Sequence, residues 1–427
     1  MNILVIGSGG REHALVWKIK KSPKVEKIYC IPGNAGIAQD AECVSIRIDD
    51  FAALADFAVK HKIDLTVVGP EVPLSEGITD YFHSRKLNIF GPNKKAAQFE
   101  ASKIFAKDFM LKYGIPTALY KGFKDFDSAL EFIAKWPLNK PLVVKADGLA
   151  AGKGVIICRD RKSADNALKE IMKDKVFGSA GSLTVVEEFL EGEEASVQVF
   201  VDGNTFSLMA PAQDHKRAND NDEGLNTGGM GAYAPAPVAD KAMLLKVEER
   251  VMKPFIRGIK AEGIDFKGIL FIGLMIDKGE PYVLEFNCRF GDPETQVVMP
   301  LLKTDLVEIM EKINAGALDK TKIEWYNISA ICVVLASGGY PGDYQKGIEI
   351  KGLSEAAKYP DITVFHAGTA RNGEKIVTAG GRVLGVTGTG LGIKEAITKT
   401  YEALKKIDFD GMHFRKDIGR KALKRLV

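Results

Sequence analysis

The chain has 427 residues, 46% of them hydrophobic and 27% charged, with a formal net charge of +3. That length exceeds one ordinary core and implies several domains, and the composition is that of a globular protein. No dense Lys/Arg stripe with interleaved aromatics supports a nucleic-acid partner, and the opening apolar run is too short for a signal or a membrane span.

The five cysteines, Cys30, Cys43, Cys158, Cys288 and Cys332, are scattered and lack CxxC spacing. That pattern fits free thiols in a reducing compartment, so a cytoplasmic protein with no membrane partner is expected. The six histidines show no metal-ligand spacing.

In chain order, Asn2–Ile6 predicts a strand, the Gly-rich turn Gly7–Gly10 leads into a helix over Arg11–Lys20, and Lys27–Ile31 predicts a second strand. A helix over Phe51–His61, a strand over Leu65–Val68 ending at Gly69-Pro70-Glu71, and a strand over Asn88–Phe90 follow. Short apolar strands alternating with helices indicate a doubly wound parallel sheet with ligands at the strand C-termini. The turn at Gly9-Gly10 presents backbone N–H groups and a positive helix end to a phosphate. A sugar phosphate suits it better than a dinucleotide, because Glu12 stands where the third glycine of the dinucleotide fingerprint would fall. A plain tight turn of small residues is the bland alternative. Asn34, Gly36 and Glu71 end neighbouring strands and would rim the same crevice.

One helix is predicted over Lys94–Tyr113, and a small α+β unit over about 118–190. Within that unit, Lys145 closes the apolar run Leu142-Val143-Val144, and a loop containing Gly148, Gly152 and Gly154 follows. This is the composition of a flap over phosphates, with Lys145 supplying charge. Glu187-Glu188-Phe189-Leu190, then Gly192 and Glu194, end a strand with carboxylates. The polar, Gly-rich stretch 213–237 is too long for idle connection and reads as a functional loop. A helix over about 241–262 and strands over Gly268–Ile276 and Pro281–Phe286 come next. Glu285, Asn287 and Arg289 then alternate along one strand, which places them on one face. A carboxylate beside an amide oxygen suits Mg²⁺, and the guanidinium fork suits a phosphate or carboxylate. From Ile328 onward, strands over Ala330–Leu335, Thr363–Ala367 and Arg382–Thr387 and a helix over Ile393–Lys406 predict a separate mixed α/β domain.

In this order, the segments GSGGREHAL, KADGLAAGKGV, EEFLEGEEAS, DHKRANDNDEGLNTGGMGAYAPAP, EFNCRFGDPETQ and GGRVLGV resemble the ATP-grasp superfamily. Within it they resemble the ligases that join glycine to 5-phosphoribosylamine. The resemblance covers essentially the whole chain. It implies an α/β ATP-grasp fold with an N-terminal substrate domain over 1–102, an ATP-grasp domain over 103–327 with a mobile lid at about 118–190, and a C-terminal domain over 328–427. It implies that ATP phosphorylates the glycine carboxylate, and that the amine of 5-phosphoribosylamine attacks the glycyl phosphate, in purine synthesis. Another acid as substrate is the alternative reading.

By the same resemblance, ATP would lie among Lys103, Lys145, Gly152, Gly154, Glu187, Glu188, Leu190 and Glu194. The two small-molecule substrates would lie among Gly9, Gly10, Asn34, Gly36, Glu71, Asp214, Lys216, Asn226, Thr227, Gly228, Arg289 and Asp292. Arg289, Lys145 and Asp214 would serve catalysis, and Glu285 and Asn287 would hold Mg²⁺ or Mn²⁺, in a monomer. One departure stands out. The strand before Glu285, Leu270–Met275, lacks the further metal carboxylate common in the superfamily, so either Glu285 does more of the metal binding or a loop residue such as Asp214 contributes.

Overall fold

The computed structural model describes residues 1–137, 140–149, 154–176 and 178–425. The N-terminal part is a parallel sheet of five strands in the order 42–43, 27–32, 2–7, 65–68, 89–90. Its central strand, Asn2–Gly7, is buried from Ile3 onward, as expected for a parallel strand covered on both faces. The helix after it spans Gly10–Ile19.

The single helix expected over 94–113 is not formed. Gln98–Ala101 and Lys103–Tyr113 are separate helices, and Ser102 between them is extended (φ −132°, ψ 114°). Ser102 is a true N-cap: its hydroxyl accepts from the Phe105 N–H at 3.1 Å, and Asp147 accepts from the Ile104 N–H at 2.7 Å. Capping by a hydroxyl and a distant carboxylate overrides the continuous helical composition.

Residues 120–188 form a four-stranded antiparallel sheet, ordered 120–123, 184–188, 142–146, 155–158. A second antiparallel sheet runs 206–208, 193–201, 268–277, 280–287. Phe286 of this sheet, with Phe266 just before the strand 268–277, packs against Phe99, Phe109 and Phe255, which belong to the helices over 98–101, 103–113 and 253–261. The helical stretch over 241–261 is continuous, with a π-helical turn at Glu248–Met252.

The stretch 213–237 is more ordered than its composition implies. Arg217–Asn219 and Glu223–Asn226 pair as a hairpin. Gln213–Asp214 and Gly231–Ala234 instead enter the C-terminal sheet, ordered 213–214, 231–234, 329–336, 382–390, 362–366. Strands from both sides of the expected 327/328 boundary thus share one sheet. Among the described residues no helix is long and apolar enough to cross a membrane.

Candidate active site

The sheets converge on a cleft of about 1090 Å³. Of the residues singled out in the sequence, Glu71, Lys103, Lys145, Gly154, Glu187, Glu188, Leu190, Glu194, Asp214, Lys216, Asn226, Thr227, Gly228, Glu285, Asn287, Arg289 and Asp292 line it. Gly152 lies outside the described residues. Gly9, Gly10, Asn34 and Gly36 are not on its wall. Gly9 adjoins it, since an added Cβ would come 3.6 Å from the cleft-lining Asp292 Oδ2, and its N–H donates to Glu12 Oε2 at 2.6 Å. Asn34 ties the N-terminal sheet to the C-terminal domain, donating to Ser8 O and His366 O at 2.8 Å each. Gly36 packs against the His366 side chain. These two residues therefore serve a domain junction, a role that their position at a strand end does not reveal.

Strand alternation sets the floor of the cleft. Phe286 points into the aromatic core, so Glu285 and Asn287 face the cleft together. Opposite Glu285 in the ladder is Gly273, whose missing side chain leaves room for it: an added Cβ would come 3.2 Å from Glu285 Cγ. The preceding strand carries no carboxylate over Leu270–Met275, the part that faces Glu285 and Asn287. Burial opposes the charge of Glu285, but Lys216, Lys145, Lys103 and Arg289 hold its carboxyl below the usual range.

Several charges in the cleft already have protein partners. Glu187 is almost fully buried and bridges Lys107, at 2.6 Å, and Lys145. Burial brings Lys107 down to about 8, with Glu187 acting against it. Lys103 Nζ donates to Gly148 O at 3.1 Å, and Lys216 pairs with Glu194 at 2.8 Å. The guanidinium of Arg289 meets Glu100 at 3.0 Å and Glu71 at 3.3 Å, and Nη2 reaches Asn287 Oδ1 at 3.4 Å. Arg289 is thus fixed in direction rather than free. Arg382 donates to Gly228 O at 2.5 Å, Asp292 O at 3.0 Å and Asp292 Oδ2 at 3.0 Å, joining two cleft loops.

Asp214 sits among acidic neighbours. Burial raises its carboxyl, Lys216 opposes, and Glu194 and Glu285 add to the rise. Glu294, also on the wall, is pushed up to about 8 by burial and then by Asp214. Among the described residues no three of His, Cys, Asp and Glu form a metal cage. Mg²⁺ does not need one, because it takes one or two carboxylates and completes its sphere with water and substrate phosphates. Glu285 and Asn287, an ionised carboxylate and an amide oxygen side by side on the cleft face, fit such an ion.

Lys107, Glu100, Glu294, Arg11 and Arg382 also line the cleft and were not identified from sequence. Glu100 and Lys107 were hidden in a stretch that reads as an ordinary helix. Arg382 was visible only as part of GGRVLGV. Glu294 lies seven residues after Asn287 in a segment already noted, and its position just past Asp292-Pro293 was the available signal.

Family models described as the phosphoribosylglycinamide synthetase N domain, ATP-grasp (A) domain and C domain match residues 1–100, 101–295 and 330–421. A phosphoribosylamine–glycine ligase of Caldanaerobacter subterraneus is 52% identical over 419 residues, covering 98% of this chain and 99% of the relative. Another, of Pseudomonas aeruginosa, is 50% identical over 428 residues, covering 100% and 99%. The crystal structure of phosphoribosylamine–glycine ligase from Thermotoga maritima superposes with a TM-score of 0.85 at 34% identity, covering 98% of this chain and 100% of that one. The chain belongs to the phosphoribosylglycinamide synthetase family, ligases built on the ATP-grasp fold.

Proposed function

We propose that the cleft joins glycine to 5-phosphoribosylamine at the expense of ATP, giving glycinamide ribonucleotide, ADP and phosphate. The chain would act as a cytoplasmic monomer in purine biosynthesis. The observation that carries this reading is the convergence of Lys103, Lys145, Lys216 and Arg289 around Glu285 and Asn287 in one cleft. The names borne by full-length relatives at about half identity favour glycine over a different acid.

The chemistry requires such a site. A carboxylate is a poor acyl donor until one oxygen becomes a leaving group, and phosphorylating it brings two anions together. Fixed cations lower that barrier without reorganising during the reaction. Lys145, held by Glu187, and Lys103, held by Gly148 O, would face the triphosphate. The segment Glu187–Leu190 would bear on the adenine, with Glu194 near the ribose. Arg289, aimed by Glu71 and Glu100, would orient the carboxylate being activated. Asp214, Lys216, Asn226–Gly228 and Asp292 would receive the amine substrate, and the N-terminus of the helix at Gly10 would attract its phosphate. Mg²⁺, or Mn²⁺, held by Glu285 and Asn287 would neutralise phosphate oxygens. The Gly-rich lid segment would exclude water from the labile acyl phosphate.

The test is ADP release with glycine and 5-phosphoribosylamine supplied separately and together. Release that needs both substrates supports the proposal. Release independent of glycine, or stimulated equally by another acid, refutes it.

A further inference from the structure

The hairpin Arg217–Asn219/Glu223–Asn226 connects two parts of the cleft wall: Lys216 enters it, and Asn226, Thr227 and Gly228 leave it. Its tip holds two consecutive non-glycine residues in the left-handed region, Asn221 at φ 61° and Asp222 at φ 58°. Asn and Asp enter that region more readily than other non-glycine residues, but as single residues, so two in succession have to be held by surrounding contacts. The imposing contacts come from the far end of the chain. Asp417 accepts from the Asn221 N–H at 2.9 Å, and Asp220 accepts from the Lys416 N–H at 2.7 Å. Arg415 is the hub, donating to Asp222 at 2.9 Å, to Arg217 O at 3.1 Å, and to both Asp417 oxygens at 2.8 Å each. It is 1% exposed. A planar guanidinium can serve these directions together, whereas an ammonium cannot.

We propose that Arg415 is a positioning residue for the non-nucleotide substrates: it clamps the 217–226 hairpin so that Lys216 and Asn226–Gly228 meet the cleft at fixed positions. This rests on the function proposed above. Arg415 itself touches no reacting atom. Its effect reaches the cleft through the backbone.

Arg415→Lys, Arg415→Met and Asp222→Asn, made in the full chain, test the clamp. The clamp predicts that KM for glycine or 5-phosphoribosylamine rises about tenfold or more in Arg415→Lys, the scale expected when a positioned group shifts. ADP affinity falls clearly less than the substrate KM values rise, because Lys216 meets the nucleotide wall through Glu194, while Glu187 and Glu188 belong to the separate sheet over 120–188. Adding Asn221→Gly to Arg415→Lys recovers part of the lost KM, since glycine takes the left-handed conformation without cost. Amide hydrogen exchange over 217–228 quickens in the free variant. If Arg415→Met fails to fold, Arg415→Lys and Asp222→Asn decide the matter. Unchanged KM values, or ADP affinity lost in parallel, would overturn the proposal. Should the unmodified enzyme show no glycine-dependent ADP release, the functional reading falls, while the exchange measurement still decides whether the clamp exists.

Discussion

Glu187→Gln removes one negative charge from between two ammonium groups while preserving shape. Lys107 and Lys145 both bridge the Glu187 carboxylate, and all three side chains are buried. Left without it, the two cations face each other across the vacated site and repel by a few kcal/mol at an effective dielectric of about 20. Two charge-assisted hydrogen bonds weaken as well. The native Lys107 already titrates at about 8 instead of 10.5, chiefly through burial, so it can shed its proton and limit the damage. The expected loss is then about 3 kcal/mol at pH 7, the low end for breaking a buried pair. The sign of the pH dependence follows. A lysine lowered in the folded state favours folding above its unfolded pKa, and this contribution is lost as pH falls through the folded pKa. In the native protein that loss is complete near pH 8. In the variant the folded value is lower still, so stability keeps falling by about 1.4 kcal/mol per pH unit below 8. Urea midpoints at pH 6.5, 7.5 and 8.5 would show the gap between variant and native protein widening toward acid. Lys107→Met combined with Glu187→Gln should be more stable than Glu187→Gln alone, because the unpaired cation is gone. A constant gap, or a double variant weaker by the simple sum, refutes the reasoning.

Three further outcomes are expected. His215 and His366 are buried and lowered to about 3, chiefly by burial. Each should therefore cost about 1.4 kcal/mol of stability at pH 5.5, one unit below its unfolded value, and His215→Gln should recover about half of that loss in urea midpoints; an unchanged acid slope contradicts this. Gly273→Ala should crowd Glu285 and raise the Mg²⁺ needed for half-maximal activity about tenfold, as for an altered ligand support; an unaltered Mg²⁺ titration would remove Glu285 from the metal's neighbourhood. Arg382→Met should lower kcat/KM about a hundredfold by releasing Gly228 from Asp292, and Arg382→Lys should recover little of it; full recovery would show that charge alone suffices.

Four of the five strands of the parallel N-terminal sheet were legible because each is a short apolar run closed by Gly or Pro, whereas the two-residue strand Glu42–Cys43 carries no such signal. Glu285 and Asn287 were legible because strand alternation is local. What stayed hidden depended on contacts between distant segments. Ser102 reads as one more helix residue until Asp147 arrives to cap Ile104. Asn34 looks like a crevice residue, yet it bonds His366 O across 332 positions. Arg289 looks like a free clamp, but its direction is set by Glu71 and Glu100 from the N-terminal part. The polar composition of 213–237 masks four short strands, because their partners lie in the C-terminal sheet and in the hairpin itself.

The central claim is that the cleft activates glycine by phosphorylating its carboxylate before the amine attacks. Glycine labelled with ¹⁸O in both carboxyl oxygens tests this directly when incubated with the enzyme, ATP, Mg²⁺ and 5-phosphoribosylamine. One labelled oxygen should pass to each phosphate released, detected by mass spectrometry of the phosphate. Unlabelled phosphate accompanying amide formation would contradict the account.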